Sequence, residues 1–239
     1  MTISYPRFQT GSPVSVERVD LLVNGLPANA QAKPAPRKGV YRALFKRAFD
    51  VTAIVLAAPI IVPIVAALAV AVSRDGGKAF YTQQRVGLGG RAFRMWKLRS
   101  MVSDADERMA HYLAANPAAR AEWDETQKLK NDPRITPFGR FLRKSSLDEL
   151  PQLWNVFVGD MSLVGPRPMM LNQQALYPGT AYYALRPGIT GFWQTAGRNR
   201  TSFEARAEYD TSYEAELSLA TDVKILARTV SVVVNGTGY

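Results

Sequence analysis

No cysteine occurs among the 239 residues, and only one histidine, His111. The first absence excludes disulfide staples, thiolate metal sites and cysteine nucleophiles, and it fits a reducing compartment. The second excludes a metal centre built on several imidazoles, so His111, close to Met109 and Tyr112, reads as a partly exposed helix residue. Carboxylates are also outnumbered: twenty Asp plus Glu face thirty Lys plus Arg, a formal net charge of +10. That balance predicts acidic partners, whether nucleic acid, anionic lipid or phosphorylated small molecules. Neither a P-loop nor a G-x-G-x-x-G cradle is present, so phosphate has to be gripped by other means.

The chain is 47% hydrophobic, enough for one sizeable domain with an appendage. Residues 1–40, which include "LPANAQAKPAPRKG", read as a disordered basic tail, and 41–239 as the folded domain. The stretch from Val51 to Val72 holds 22 residues without a charge, with Thr52 its only polar side chain. A straight helix of that length reaches roughly 33 Å, about one bilayer core. Pro59 and Pro63 oppose a simple span, because each removes a backbone donor and kinks or breaks the helix. Basic residues flank both ends, Lys46 and Arg47 before and Arg74 and Lys78 after, so both ends favour the cytoplasmic side. A re-entrant helix over 51–72, broken near Pro59, satisfies these observations together; a spanning helix and a buried soluble helix are the alternatives.

Beyond it, the alternation in "AFYTQQRVGLGGRAFRMWKLRSM" predicts a hairpin: Phe80 to Val86, a turn at Gly87 to Gly90, then Ala92 to Leu98. Residues 104–130 read as helix interrupted at Asn116-Pro117. A short helix is expected over Ser146 to Val158, where Leu150, Leu153, Trp154, Phe157 and Val158 form an apolar stripe. That stripe can serve the core, the membrane interface or a homodimer contact. A last helix is expected over Leu217 to Val234.

Within the basic chain, Asp148 and Glu149 stand side by side. Ser146-Leu-Asp-Glu149 fits a capping box, in which Glu149 caps and Asp148, near first-turn amides, stays ionised and free to act as nucleophile or metal ligand. Arg143 precedes the pair, and Arg167 follows it in "GPRP", where two prolines and a glycine stiffen the loop that presents one guanidinium. A carboxylate pair among arginines on rigid loops points to phosphoryl chemistry with Mg²⁺.

The stretches "RAFDV", "FYTQQRVGLGGRAFRMWKLRSM", "DPRITPFGRFLRKSSLDELPQLWNVFVGDMSLVGPRP", "LRPGITGFWQTAGRN" and "DVKILARTV" occur in order and cover about residues 42–239. They resemble the bacterial sugar transferase family, the monotopic phosphoglycosyl transferases that begin exopolysaccharide assembly. The resemblance implies transfer of a sugar 1-phosphate, galactose or glucose, from a UDP-sugar to undecaprenyl phosphate on the cytoplasmic face of the bacterial inner membrane, with UMP released. It implies Asp148 as the covalent nucleophile and Mg²⁺ ligand, with Glu149 in support. By motif position it further implies that Arg143 binds phosphate, that Pro166, Arg167 and Pro168 form a nucleotide loop, and that Lys97 and Asp210 are functional. Membrane lipids, and not nucleic acid, are the other partners it implies. The family often breaks its re-entrant helix at Ser-Pro, where this chain has Ala58-Pro59. The short tail resembles that of the compact members without further membrane helices. The fold expected is a compact, helix-rich α+β domain with a small hairpin or sheet, seated on the membrane by the broken helix and interfacial amphipathic helices. The competing reading is a membrane-tethered basic module that binds anionic lipid or nucleic acid without catalysis.

Overall fold

Residues 39–126, 129–196, 203 and 205–234 are described by the structure, a computed structural model. The tail foreseen for 1–40 lies outside the described residues except at Gly39 and Val40. After a π-helical turn at Tyr41–Phe45, helix α1 (Lys46–Ser73) runs for 28 residues with both prolines inside it. The break foreseen at Ala58-Pro59 is therefore not an interruption of the helix; a proline removes one hydrogen bond without having to end helical conformation. Only 6% of the most apolar window of this segment is buried within the protein, which rules out a soluble core helix. Val55, Leu56, Ile60 and Val62 all face outward.

The base of α1 is fastened by polar groups. Lys46 Nζ lies 2.6 Å from Asp222 Oδ2 and 3.5 Å from Asp50 Oδ1. Tyr41 and Tyr213 donate hydroxyl hydrogens to Asp222 at 2.6 and 2.7 Å, and Ser162 donates to Asp50 at 2.7 Å. Both carboxylates are buried, so this satisfied network joins the apolar helix to the C-terminal half of the chain.

The hairpin forms as its alternation predicts. Strands β1 (Phe80–Val86) and β2 (Ala92–Leu98) pair antiparallel from Phe80↔Leu98 to Val86↔Ala92. On β2, Met95 is buried and Lys97 half-buried, while Arg94 and Trp96 are exposed. Helices α2 (Ala105–Ala115) and α3 (Pro117–Thr126) meet at the expected Asn116 interruption, and His111 is exposed on α2. Helix α4 (Pro137–Lys144) starts from the Thr136 cap, whose Oγ1 accepts from Gly139 N at 2.8 Å.

The helix expected over Ser146 to Val158 divides into a 3₁₀ turn (Leu147–Glu149) and α5 (Gln152–Val158), with Pro151 at the junction. Its apolar stripe divides: Leu153 packs against the buried cluster of Ile54, Met95, Val156 and Met161, while most of the rest turns outward. Trp154, Phe157 and Val158 are exposed, whereas Gln152, Asn155 and Val156 are buried. Asn155 decides this orientation by bonding the two β2 peptides on either side of Met95: Nδ2 donates to Arg94 O at 2.7 Å and Oδ1 accepts from Trp96 N at 3.0 Å. Arg47, from α1, donates to the terminal α5 carbonyls of Val156 and Phe157.

A second, parallel pair joins β3 (Ser162–Val164) and β4 (Gly188–Thr190), each too short for periodicity to reveal. Short helices α6 (Ala181–Ala184) and α7 (Phe192–Ala196) surround it, followed by α8 (Arg206–Ala215) and α9 (Leu219–Val234). Tyr177, Tyr182 and Tyr183 form a buried aromatic cluster with Val86 and Met169, which packs the tip of the hairpin onto the segment after β3. The whole is helix-rich α+β, with one long apolar helix.

Candidate active site

Asp148 lies in the 3₁₀ turn, and its residue is only 7% exposed. The backbone route into the turn is unusual: Ser146 has φ 57°, the left-handed region that costs a residue with a Cβ about 1 kcal/mol or more. The capping box expected at Ser146 is absent. Ser146 makes no side-chain cap, and Glu149 instead holds Lys97 Nζ at 2.7 Å. The expectation that first-turn amides hold Asp148 ionised is not met. Burial pushes its carboxyl above the usual carboxylate range and Glu149 adds to this, while Lys97 foremost, and then Arg143, pull it back; its own backbone amide contributes least. The turn is too short for an organised helix dipole, so the lysine on β2 does most of what first-turn amides were expected to do.

Arg143 is positioned by close packing. Its Nε donates to Ser100 Oγ at 2.8 Å, just past the end of β2. Helix α4 can approach that closely because residue 139 is glycine: a Cβ there would fall 1.9 Å from Ser100 O. The Pro166-Arg167-Pro168 loop is held in the same manner. Gly188 N donates to Pro166 O at 2.8 Å, and a Cβ on Gly165 would meet Arg186 O at 2.3 Å. Pro166 is buried and Arg167 exposed, so the stiff loop does present its guanidinium outward.

Asp210 belongs to a neighbouring cleft and does not contact the dyad. It lies on α8, where burial pushes its carboxyl up to about 7 while the Tyr177 hydroxyl, donating to Oδ2 at 2.8 Å, restrains the shift. Arg167, Trp193 and Arg206 line the cleft with it. Arg206 stacks 4.2 Å from the Trp193 ring centroid and Arg167 lies 5.7 Å from the same ring. Between the dyad and this cleft stands Arg85 of β1, whose Nη1 donates to Pro168 O at 3.3 Å and whose charge is felt by both Glu149 and Arg167. Sequence reasoning missed Arg85, Trp193 and Arg206. The only signal for Arg85 was its place on an otherwise neutral strand, "FYTQQRV".

Among the described residues no group of three or more His, Asp or Glu side chains gathers. What the site offers a divalent cation is Asp148 with Glu149 beside it, an all-oxygen donor set. That suits Mg²⁺, which is commonly held by one or two carboxylates and completed by water and substrate phosphate.

The chain has relatives among known proteins. Residues 41–236 match the family model described as "Bacterial sugar transferase". The chain is 48% identical over 195 residues to the "UDP-galactose-lipid carrier transferase" of Erwinia amylovora, covering 81% of this chain and 41% of that protein. It is 47% identical to the "Undecaprenyl-phosphate galactose phosphotransferase" of Salmonella typhimurium, again covering 81% of this chain and 41% of the other. The "Exopolysaccharide production protein ExoY" of Rhizobium meliloti is 43% identical over 191 residues, 79% of this chain and 84% of ExoY. The chain thus spans about four-tenths of the length of the first two curated relatives. A match over 41–236 makes this chain a member of the bacterial sugar transferase family.

Proposed function

We propose that this chain transfers a sugar 1-phosphate from a UDP-sugar to undecaprenyl phosphate, as the first step of exopolysaccharide assembly. The observation that carries this reading is the buried Asp148 beside Glu149, flanked by Lys97 from β2 and Arg143 from α4. An Asp148 oxygen attacks the sugar-proximal phosphorus, forming an acyl phosphate bond as the bond to the UMP oxygen breaks. A phosphate oxygen of the lipid then attacks the same phosphorus and frees the Asp148 carboxylate. Lys97 and Arg143 hold the carboxylate ionised and offset like-charge repulsion with the diphosphate. Mg²⁺, held at Asp148, would supply further neutralisation of the diphosphate when bound. Pro166 and Pro168 fix Arg167 for the nucleotide phosphates. Asp210 lines the adjoining cleft as a second substrate-binding position.

Galactose is the favoured sugar. The two relatives at 47–48% identity carry galactose in their names, whereas the "UDP-glucose:undecaprenyl-phosphate glucose-1-phosphate transferase" of Escherichia coli is 36% identical. The acceptor is a lipid, and the exposed apolar α1 supports a seat in the cytoplasmic membrane. Arg47 near its start bonds to Val156 O and Val72 O near its end accepts from Arg99, so a bend at Pro59 and Pro63 within the continuous helix would put Lys46 and Arg74 on the same, cytoplasmic face. The exposed Trp154, Phe157 and Val158 would then lie at headgroup level.

UMP release from UDP-galactose and UDP-glucose, with undecaprenyl phosphate and Mg²⁺, tests the reading beside Asp148→Asn. Release that is sugar-selective and lost in the folded variant is expected. Wild-type silence with both donors, or full activity in the variant, would overturn it.

A further inference from the structure

Arg85 and Arg206 each lie within electrostatic reach of Arg167, and none of the three has an ion-pair partner among the described carboxylates. Arg206 is sandwiched, its guanidinium carbon 4.2 Å from the Trp193 ring centroid and 4.7 Å from that of Phe203. Its Nε is buried and has no hydrogen-bond partner among the described residues. The Nε of Arg85 is in the same condition, although its two terminal nitrogens donate to Pro168 O and to Gln83 Oε1. Arg167, exposed on its proline-stiffened loop, shares the Trp193 face with Arg206. Stacking on flat rings fixes the plane of a guanidinium without using its N–H groups, leaving them available to an acceptor.

Gathering three cations is costly unless something negative arrives. Burial, and after it the charge of Arg167, depresses both Arg85, down to about 10, and Arg206. Asp210 offers little relief, since its carboxyl is itself pushed up and occupied by Tyr177. Unpaired buried donors beside surplus positive charge are the complement of a phosphate dianion, which carries several acceptor oxygens.

Resting on the function proposed above, we propose that Arg85 and Arg206 complete, with Arg167, a three-guanidinium seat for a substrate phosphate, in which the Trp193–Arg206–Phe203 stack holds one cation in readiness. Two sources share this chemistry, the diphosphate of the nucleotide donor and the phosphate of the lipid acceptor.

Titration calorimetry on the full, detergent-solubilised chain separates them, with UDP and undecaprenyl phosphate as the probes. Arg85→Gln and Arg206→Gln should each weaken one probe by about tenfold or more, as loss of a charge-assisted bond does. Weaker UDP binding alone assigns the seat to the donor; weaker lipid phosphate binding alone assigns it to the acceptor. Trp193→Leu, which keeps all three charges and only releases the stack, should weaken the same probe by a smaller factor and serves if Arg206→Gln does not fold. Unchanged affinity for both probes in the folded variants would overturn the seat. The reading of the reaction is judged separately, by wild-type UMP release, which can succeed while the seat fails.

Discussion

Lys97, on the second strand of the hairpin, reaches Glu149 at 2.7 Å across 52 residues of chain, and its charge is the foremost influence opposing the upward shift that burial imposes on the neighbouring Asp148. The lysine therefore acts on both members of the acidic pair, joined to one and electrostatically coupled to the other.

Replacing Lys97 with Met should lower the rate of UMP release by about 100-fold or more, in the range seen when a preorganised charge is removed from a reacting centre. Without the ammonium the Asp148 carboxyl moves further up, so the acid limb of the pH–rate profile should shift to higher pH. Lys97→Arg should keep the limb near its wild-type position. A profile for Lys97→Met that falls in height without moving would show that the lysine does not set the ionisation of Asp148.

Gly139→Ala should destabilise the protein by about 2–3 kcal/mol, since the new methyl would sit 1.9 Å from Ser100 O with backbone on both sides. Turnover should fall as well, because the same displacement pulls Arg143 from Ser100 Oγ. Gly39→Ala is the control: nothing lies within 4 Å of a Cβ there. Thermal melts and UMP release on the two variants decide the matter, and equal melts would refute the close-packing account.

Asp210 ionises near pH 7 in the folded protein against 3.8 in its ordinary state. Its contribution to stability is thus full below about pH 4 and is lost as pH rises through 7, because the folded state holds the proton that the unfolded chain releases earlier. Asn at this position keeps an acceptor for Tyr177 and does not titrate. With each pH unit of the window worth about 1.4 kcal/mol, Asp210→Asn should gain on wild type by a few kcal/mol between pH 5 and 8. Melting curves at both pH values measure this, and a pH-independent difference would contradict it.

The hairpin, the Asn116 interruption and the C-terminal helix could be read from the sequence because their signals are local: alternation, a glycine turn, a proline, a run of helical period. The capping box misled for a related reason. Its pattern at Ser146 and Glu149 is local too, but a longer-range ion pair to Lys97 captured the glutamate, and Ser146 took up a left-handed conformation. On α5 the apolar stripe could be located but its direction stayed open between core, membrane interface and dimer contact, until Asn155, bonded to the β2 peptides on either side of Met95, left Trp154 and Phe157 turned outward. Hydrophobic period alone does not say which face is inside when an apolar surface has a membrane to meet.

From its sequence alone, the chain has a long uncharged apolar stretch, a strongly basic composition, and an acidic pair between Arg143 and Arg167, the second on a proline-stiffened loop. Composition and spacing determine these, since they depend on residues close along the chain. Only the tertiary structure decided that Lys97, ahead of backbone amides, opposes the upward shift of Asp148, that Asp222 clasps Lys46 across 176 residues, and that Arg167 shares one indole with Arg206 while lying within electrostatic reach of Arg85. Electrostatic and stacking energies act through space, and the distances that govern them come into being only when the chain has folded.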